Sequence, residues 1–341
     1  MALHILWFVV GLVLLIKGGD WFVDGASGIA KKFNLPEVLI GATVVSIGTT
    51  LPEVMVSATS ALEGHGSMAY GNAIGSIICN TALVAAITVA VKPAVVNKKS
   101  LYVPVAFFFV AAGIYAGTAY TSQSFGRATG IILLVLFAAY LAVTVIQTKR
   151  SPIGNDSVKA SETGKEASEK TEEEEKEKEH PVWWIIGLVI VGAALIAVGS
   201  RLLVDHGVEI AKAIGISESV IALTFIALGT SLPELVTAIT SLVKGHGSLS
   251  IGNICGANLF NLVLVSGVSI TIGPFEIKEP EFVTKTFFGK EMFSSLVIDT
   301  PLMILVMALL TLPVLIKGKL YRWQGITLLL LYAGFCVLMF I

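Results

Sequence analysis

Apolar residues along this chain gather into runs of about twenty, the length an α-helix needs to cross the hydrocarbon core of a bilayer. Ten such runs can be placed, at roughly 3–25, 37–61, 69–91, 101–118, 128–147, 183–205, 218–242, 249–272, 296–316 and 323–341. They predict an all-α polytopic membrane protein with ten transmembrane helices. Basic residues set its orientation. Loops after odd-numbered spans carry Lys31, Lys32, Lys92, Lys98, Lys99, Lys149, Arg150, Lys244, Lys317, Lys319 and Arg322, whereas the opposite side has only Arg127, Lys212, Lys278, Lys285 and Lys290. Positive residues stay on the cytoplasmic side, so both termini are expected outside the cell membrane.

Polar residues concentrate between spans five and six, in "KRSPIGNDSVKASETGKEASEKTEEEEKEKEH". This Lys/Glu-rich segment has no apolar periodicity and cannot bury enough surface to fold. The expected organisation is a membrane repeat at 1–147, a charged cytoplasmic linker at 148–181 and a second membrane repeat at 182–341. The acidic run "TEEEE" lacks the turn geometry that wraps oxygens round calcium.

The sequence has 341 residues, 55% hydrophobic and 14% charged, with a formal net charge of −1. Because so much of that charge lies in the linker, the remainder is exceptionally apolar, and a nucleic-acid partner is not expected. Lipid is. The first apolar run lacks the basic start and small-residue cleavage site of a leader, so it reads as the first span. Cys79, Cys255 and Cys336 fall within predicted spans without CxxC spacing, which argues for small buried hydrophobes over a disulfide framework or zinc site.

An internal repeat changes the picture most. A shift of 181 residues lays "IGTTLPE" (47–53) on "LGTSLPE" (228–234) and "GHGS" (64–67) on "GHGS" (245–248). It also lays Gly71, Asn72, Gly75 and Asn80 on Gly252, Asn253, Gly256 and Asn261, and holds back to Asp24 and Asp205. Beyond the third span of each half, "TGIILL" (129–134) matches "QGITLL" (324–329) at an offset of 195, which places about fourteen extra residues in "GPFEIKEPEFVTKTFFGKEMFSS". Five spans per half is an odd number, so the second half must enter the membrane inverted. Inverted repeats with interrupted helices at corresponding positions mark secondary transporters that hold substrate near the midplane.

The repeated motif is chemically specific. Proline has no amide hydrogen, so Pro52 and Pro233 free the carbonyls of Gly48 and Gly229, and a helix break is expected at each. A charged side chain at mid-membrane costs at least about 2.5 to 3.5 kcal/mol, and two inverted copies would bring Glu53 and Glu234 together. No Lys or Arg lies near them in these spans, which leaves a metal ion or protons as partner. Two carboxylates match one divalent cation. Thr49, Thr50, Thr230 and Ser231 add hydroxyls, and Asn80 and Asn261 add amide oxygens, an all-oxygen set suited to calcium. The "GHGS" pair reads as tight turns, Gly71, Gly75, Gly252 and Gly256 as close packing points, and Lys17/Asp20 and Arg201/Asp205 as local ion pairs.

With "GTTLPE" and "GNAIGSIICN" in one half and "GTSLPE" and "GNICGANLFN" in the other, the chain resembles the cation/calcium exchanger superfamily, and within it the prokaryotic sodium/calcium exchangers. The resemblance implies ten helices in two inverted five-helix halves around one calcium and several sodium sites. It implies that Glu53 and Glu234 bind both ions, that Thr49 and Thr230 complete the calcium site, and that Ser46 and Ala227 offer carbonyls. Thr50 and Ser231 would lie beside the site, and Ser76, Asn80, Ala257 and Asn261 on the "GNxxG" helices. Ala257 and Asn261 stand where that pattern has a serine and an aspartate, with Asn258 as a neighbouring amide.

The expected function is sodium/calcium antiport by alternating access, with proton/calcium antiport and a calcium channel as the alternatives. No cofactor, no catalytic residue and no obligate protein partner are expected. An intramembrane hydrolase would need a nucleophile motif that the sequence does not show.

Overall fold

The computed structural model describes residues 2–33, 35–93, 95–150, 181–213, 231–278, 284–287 and 290–340. The linker and residues 214–230 lie outside these, and with them the expected site positions Ala227 and Thr230. The described helices are α1 Ala2–Lys32, α2 Val38–Leu62, α3 Gly66–Val91, α4 Lys98–Thr121, α5 Arg127–Arg150, α6 Val182–Ala213, α7 Leu232–Val243, α8 Gly247–Ile272, α9 Ser295–Lys317 and α10 Arg322–Phe340. Eight are long and apolar enough to cross a membrane, and the two shorter apolar helices are Leu232–Val243 and Arg322–Leu338. Leu3, Trp21, Val135, Trp183 and Trp323 face outward, as lipid-facing side chains do.

The chain turns are built from backbone. After α2, Gly64 adopts φ 82°, its N–H donates to Ala61 O and that of His65 to Ser60 O. After α7, Gly245 adopts φ 84°, its N–H donates to Leu242 O and that of His246 to Ser241 O. Both "GHGS" motifs therefore close a helix with the left-handed glycine cap that satisfies its last carbonyls.

Two short backbone bridges tie the loops at opposite ends of the bundle. Strand β1 (Ser124–Phe125) pairs antiparallel with β2 (Phe275–Glu276), while Val95 pairs with Lys319. The extra residues of the second half thus dock on a first-half loop. Phe275 stacks on Phe125 at 5.0 Å, and Phe125 lies 4.6 Å from Tyr115. Farther along, Thr284–Phe287 and Lys290–Phe293 form a hairpin, β3 and β4.

Helices α1 and α6 pack closely and antiparallel, through small residues that let backbones approach without a hydrophobic driving force. A Cβ built on Gly18 would lie 2.9 Å from Gly192 O, and one on Gly199 would lie 2.8 Å from Gly11 O. The shift of 181 turns the first contact into the second. The same exchange recurs elsewhere. A Cβ on Gly130 of α5 would meet Gly267 O at 2.9 Å and Thr271 N at 2.7 Å, and one on Gly325 of α10 would meet Ala86 O and Ala90 N, each at 2.6 Å.

Candidate functional site

Helix α2 does not break at Pro52. Its residues Ser46–Leu62 are α-helical with Pro52 inside, and the irregularity falls one turn earlier, where Gly41–Val45 is a wide π-helical turn. Ser46 Oγ donates to Gly41 O at 2.7 Å and Tyr140 Oη to Ala42 O at 2.7 Å, so side chains take up carbonyls that the wide turn leaves. In α7, Pro233 sits in the first turn, where a missing amide costs nothing.

Glu53 and Glu234 are both 0% exposed, and they are the buried charged side chains among the described residues. Their chain neighbours Pro52 and Pro233 line one small pocket, so the two helices meet beside the carboxylates. None of the four carboxylate oxygens has a hydrogen-bond partner among the described residues. Thr50 Oγ1, Ser231 Oγ and both amide atoms of Asn80 and of Asn261 are likewise buried without partners. Burying polar atoms unpaired costs about 1–3 kcal/mol each, and more for charges, so this many together define a site built for a guest. Ser46, Thr49 and Ser76 are also buried. No lysine or arginine is buried among the described residues.

Asn80 and Asn261 each open a π-helical segment, Asn80–Ala85 in α3 and Asn261–Val265 in α8. The sequence motif marks the two asparagines but carries no signal for the wide turns, which often accompany functional sites.

Asn253 is a further member that the motif reading passed over. Its Oδ1 accepts from Ser46 Oγ at 3.3 Å and from Thr49 Oγ1 at 3.4 Å, and its backbone carbonyl accepts from Ser46 Oγ at 2.9 Å. Its repeat mate Asn72 donates to Glu53 O at 3.2 Å and to Ser57 Oγ at 2.8 Å. Both are amides at matched mid-membrane positions, which was the available signal. Asn258 donates through Nδ2 to Thr81 Oγ1 at 2.6 Å, while its Oδ1 stays buried without a partner among the described residues.

Three expectations need adjustment. Gly252 and Gly256 do pack closely, against Val38 and Ala42, but beside Gly71 and Gly75 no described atom lies within 4 Å of a Cβ. Lys17 with Asp20 and Arg201 with Asp205 do not close into ion pairs among the described residues. Instead Lys244 Nζ meets Asp24 Oδ1 at 2.7 Å, Asp20 Oδ1 at 3.5 Å and Asp20 O at 3.0 Å. The third is the unbroken α2.

A small pocket lined by Phe22, Gly48, Thr49, Pro52, Ala193, Ile196, Ala197 and Pro233 lies where α1 and α6 meet the site helices. Buried acidic side chains inside a multi-pass helical protein are a feature of membrane proteins with ion pathways. The sodium/calcium exchanger protein family model matches residues 3–146 and 184–341, and the chain belongs to that family. It is 37% identical over 276 residues to the putative antiporter CaxA of Alkalimonas amylolytica, covering 80% of this chain and 82% of that protein. It is 28% identical to the sodium/calcium exchanger MaX1 of Methanosarcina acetivorans, over 100% of this chain and 99% of that one. Among solved structures, the sodium-calcium exchanger NCX_Mj soaked with zero Na+ and Ca2+ superposes with a TM-score of 0.75 at 30% identity, over 97% of both chains.

Proposed function

We propose that this protein is a secondary active antiporter that exchanges Ca2+ for Na+ across the cell membrane by alternating access. The observation that carries it is the pair of fully buried carboxylates whose four oxygens have no hydrogen-bond partner among the described residues. One Ca2+ neutralises both. Thr49, Thr50 and Ser231, with Asn80, Asn261 and Ser76 on the neighbouring helices and the Ser46 carbonyl, supply the neutral oxygens that a flexible calcium shell of six to eight ligands needs. Thr230 and Ala227 complete the set by repeat equivalence. Sodium ions compete for the same oxygens, and an empty site leaves two buried charges uncompensated, which disfavours the switch and enforces exchange over leak.

In this proposal residues 1–147 and 182–341 form two inverted halves of five transmembrane helices each, joined by the cytoplasmic linker 148–181, with both termini outside. Two features support inversion. The repeat-equivalent helices α1 and α6 run antiparallel, and contacts exchange under the repeat, Gly18–Gly192 becoming Gly199–Gly11. Loop pairing agrees with the charge rule. The bridge Val95–Lys319 joins two loops on the basic side, and β1–β2 joins two on the other.

Proton coupling is the second reading, favoured by Ala257 and Asn261, both fully buried, where the resemblance calls for a hydroxyl and a carboxylate. Calcium uptake into proteoliposomes under an imposed sodium or proton gradient, with membrane potential clamped, separates the two. Uptake driven by sodium alone is expected. Uptake driven only by protons would replace Na+ by H+, and flux without any counter-ion gradient would make the protein a channel.

A further inference from the structure

The repeat relates charges as well as helices. The operation that carries Glu63 onto Lys244 carries Asp20 onto Arg201 and Asp24 onto Asp205. Glu63 and Lys244 occupy the same place in their halves, each the last residue before a glycine of φ 82° or 84°. Around Lys244, one cation on the α7–α8 turn faces two carboxylates on α1. Around Glu63, one carboxylate on the α2–α3 turn has as its counterparts a cation and a carboxylate on α6. Each cluster holds one cation and two acids, with the cation moved from the turn to the long helix.

Only one of the two is closed. Lys244 grips Asp24 Oδ1 at 2.7 Å and Asp20 O at 3.0 Å, whereas Glu63 and Arg201, both exposed, form no ion pair among the described residues. Inverted halves that swap conformations must swap these clusters too. We propose that Lys244 with Asp20 and Asp24 is a latch that holds α1 against the α7–α8 turn on the basic side, and that Glu63 with Arg201 is its charge-reversed partner, closing on the opposite side when the first opens. The latch rests on the alternating-access reading above. It assigns gating roles to five residues away from the ion site and explains why the ends of α1 and α6 carry acids and a cation amid apolar sequence.

The geometry also bounds the strength of the device. Lys244, Asp20 and Asp24 have side chains 26%, 37% and 53% exposed, so solvent screens the pair. Partly exposed pairs of this kind shift an equilibrium by about two- to five-fold, enough to bias access without trapping it.

Cysteine pairs test it in reconstituted full-length protein whose Cys79, Cys255 and Cys336 are changed to alanine. One variant carries Asp24→Cys with Lys244→Cys, the other Glu63→Cys with Arg201→Cys, and each is treated with a short, reducible bifunctional thiol reagent. Each pair is expected to cross-link, by peptide mass spectrometry, and each link to stop calcium exchange until it is reduced. Adding Lys244→Ala to the second variant should raise its cross-linking rate about two- to five-fold. A second pair that never links in vesicles that exchange calcium, or a rate that Lys244→Ala leaves unchanged, overturns the latch and leaves antiport standing. Conversely, a cysteine-free background that restores wild-type fold but moves calcium without any counter-ion gradient overturns antiport, while the linking yields still report whether the two clusters alternate.

Discussion

Neutralising one member of the buried acidic pair should raise stability in the absence of calcium and abolish the stabilisation that calcium confers. Glu53 and Glu234 are both 0% exposed and hold four unpartnered oxygens, with no buried lysine or arginine among the described residues. In the ion-free protein they repel. At an effective dielectric of about 20, two like unit charges about 4 Å apart repel by roughly 4 kcal/mol and less beyond, and Glu53→Gln or Glu234→Gln relieves the part that proton uptake has not already removed. With calcium at about a hundred times its dissociation constant, binding stabilises the native state by about 2.7 kcal/mol, which the variant forfeits. Thermal unfolding in detergent, in chelator and then in excess calcium, reads both effects. The variant should melt above wild type in chelator, and calcium should raise the melting point of wild type but not that of the variant, closing most of the gap between them. The double variant should gain far less than twice the single shift in chelator, because one neutral side chain already ends the repulsion. A single variant no more stable than wild type in chelator, or an equal calcium shift in both, would refute the shared-ion site.

Three further outcomes follow from particular contacts. Asn253→Leu takes the side-chain acceptor from Thr49, leaving it Ser46 O at 3.5 Å, while Ser46 keeps Gly41 O and the backbone carbonyl at 253, so it should cost about 1 kcal/mol of stability by calorimetry and weaken calcium binding in isothermal titration. Gly192→Leu forces side-chain atoms into α1, where even a Cβ would lie 2.6 Å from Phe22 N, and should destabilise by about 1–3 kcal/mol; Gly187→Ala, with no described atom within 4 Å, should be close to neutral in the same melt. Asn261→Asp adds a negative charge at a fully buried position, so the occupied site should take up one more monovalent cation, seen as a steeper sodium dependence of calcium release and a shifted reversal potential.

The chain pattern by itself determined most of the described helices and marked the two carboxylates that are fully buried. Runs of apolar residues have no stable alternative in a bilayer to hydrogen-bonded helix, so their ends could be read within a few residues, although α1 and α6 run on to Lys32 and Ala213, past the apolar stretch. A carboxylate repeated at matched mid-membrane positions is costly enough to announce itself, and Glu53 and Glu234 were legible for that reason. Local chemistry misled where a neighbour could override it. Pro52 removes one amide, but a single lost bond is small beside the packing around α2, so the helix continues through it, and the wide turn lies upstream at Gly41–Val45. Tertiary structure alone decided that Asn253 receives Ser46 and Thr49, that the Nδ2 of Asn258 turns to Thr81, and that Lys244 reaches across to Asp20 and Asp24 rather than leaving Asp20 to Lys17. These partners stand more than a hundred and seventy residues apart in sequence. Periodicity reports which face of a helix is buried; which side chain it meets there depends on how the two halves are set against each other.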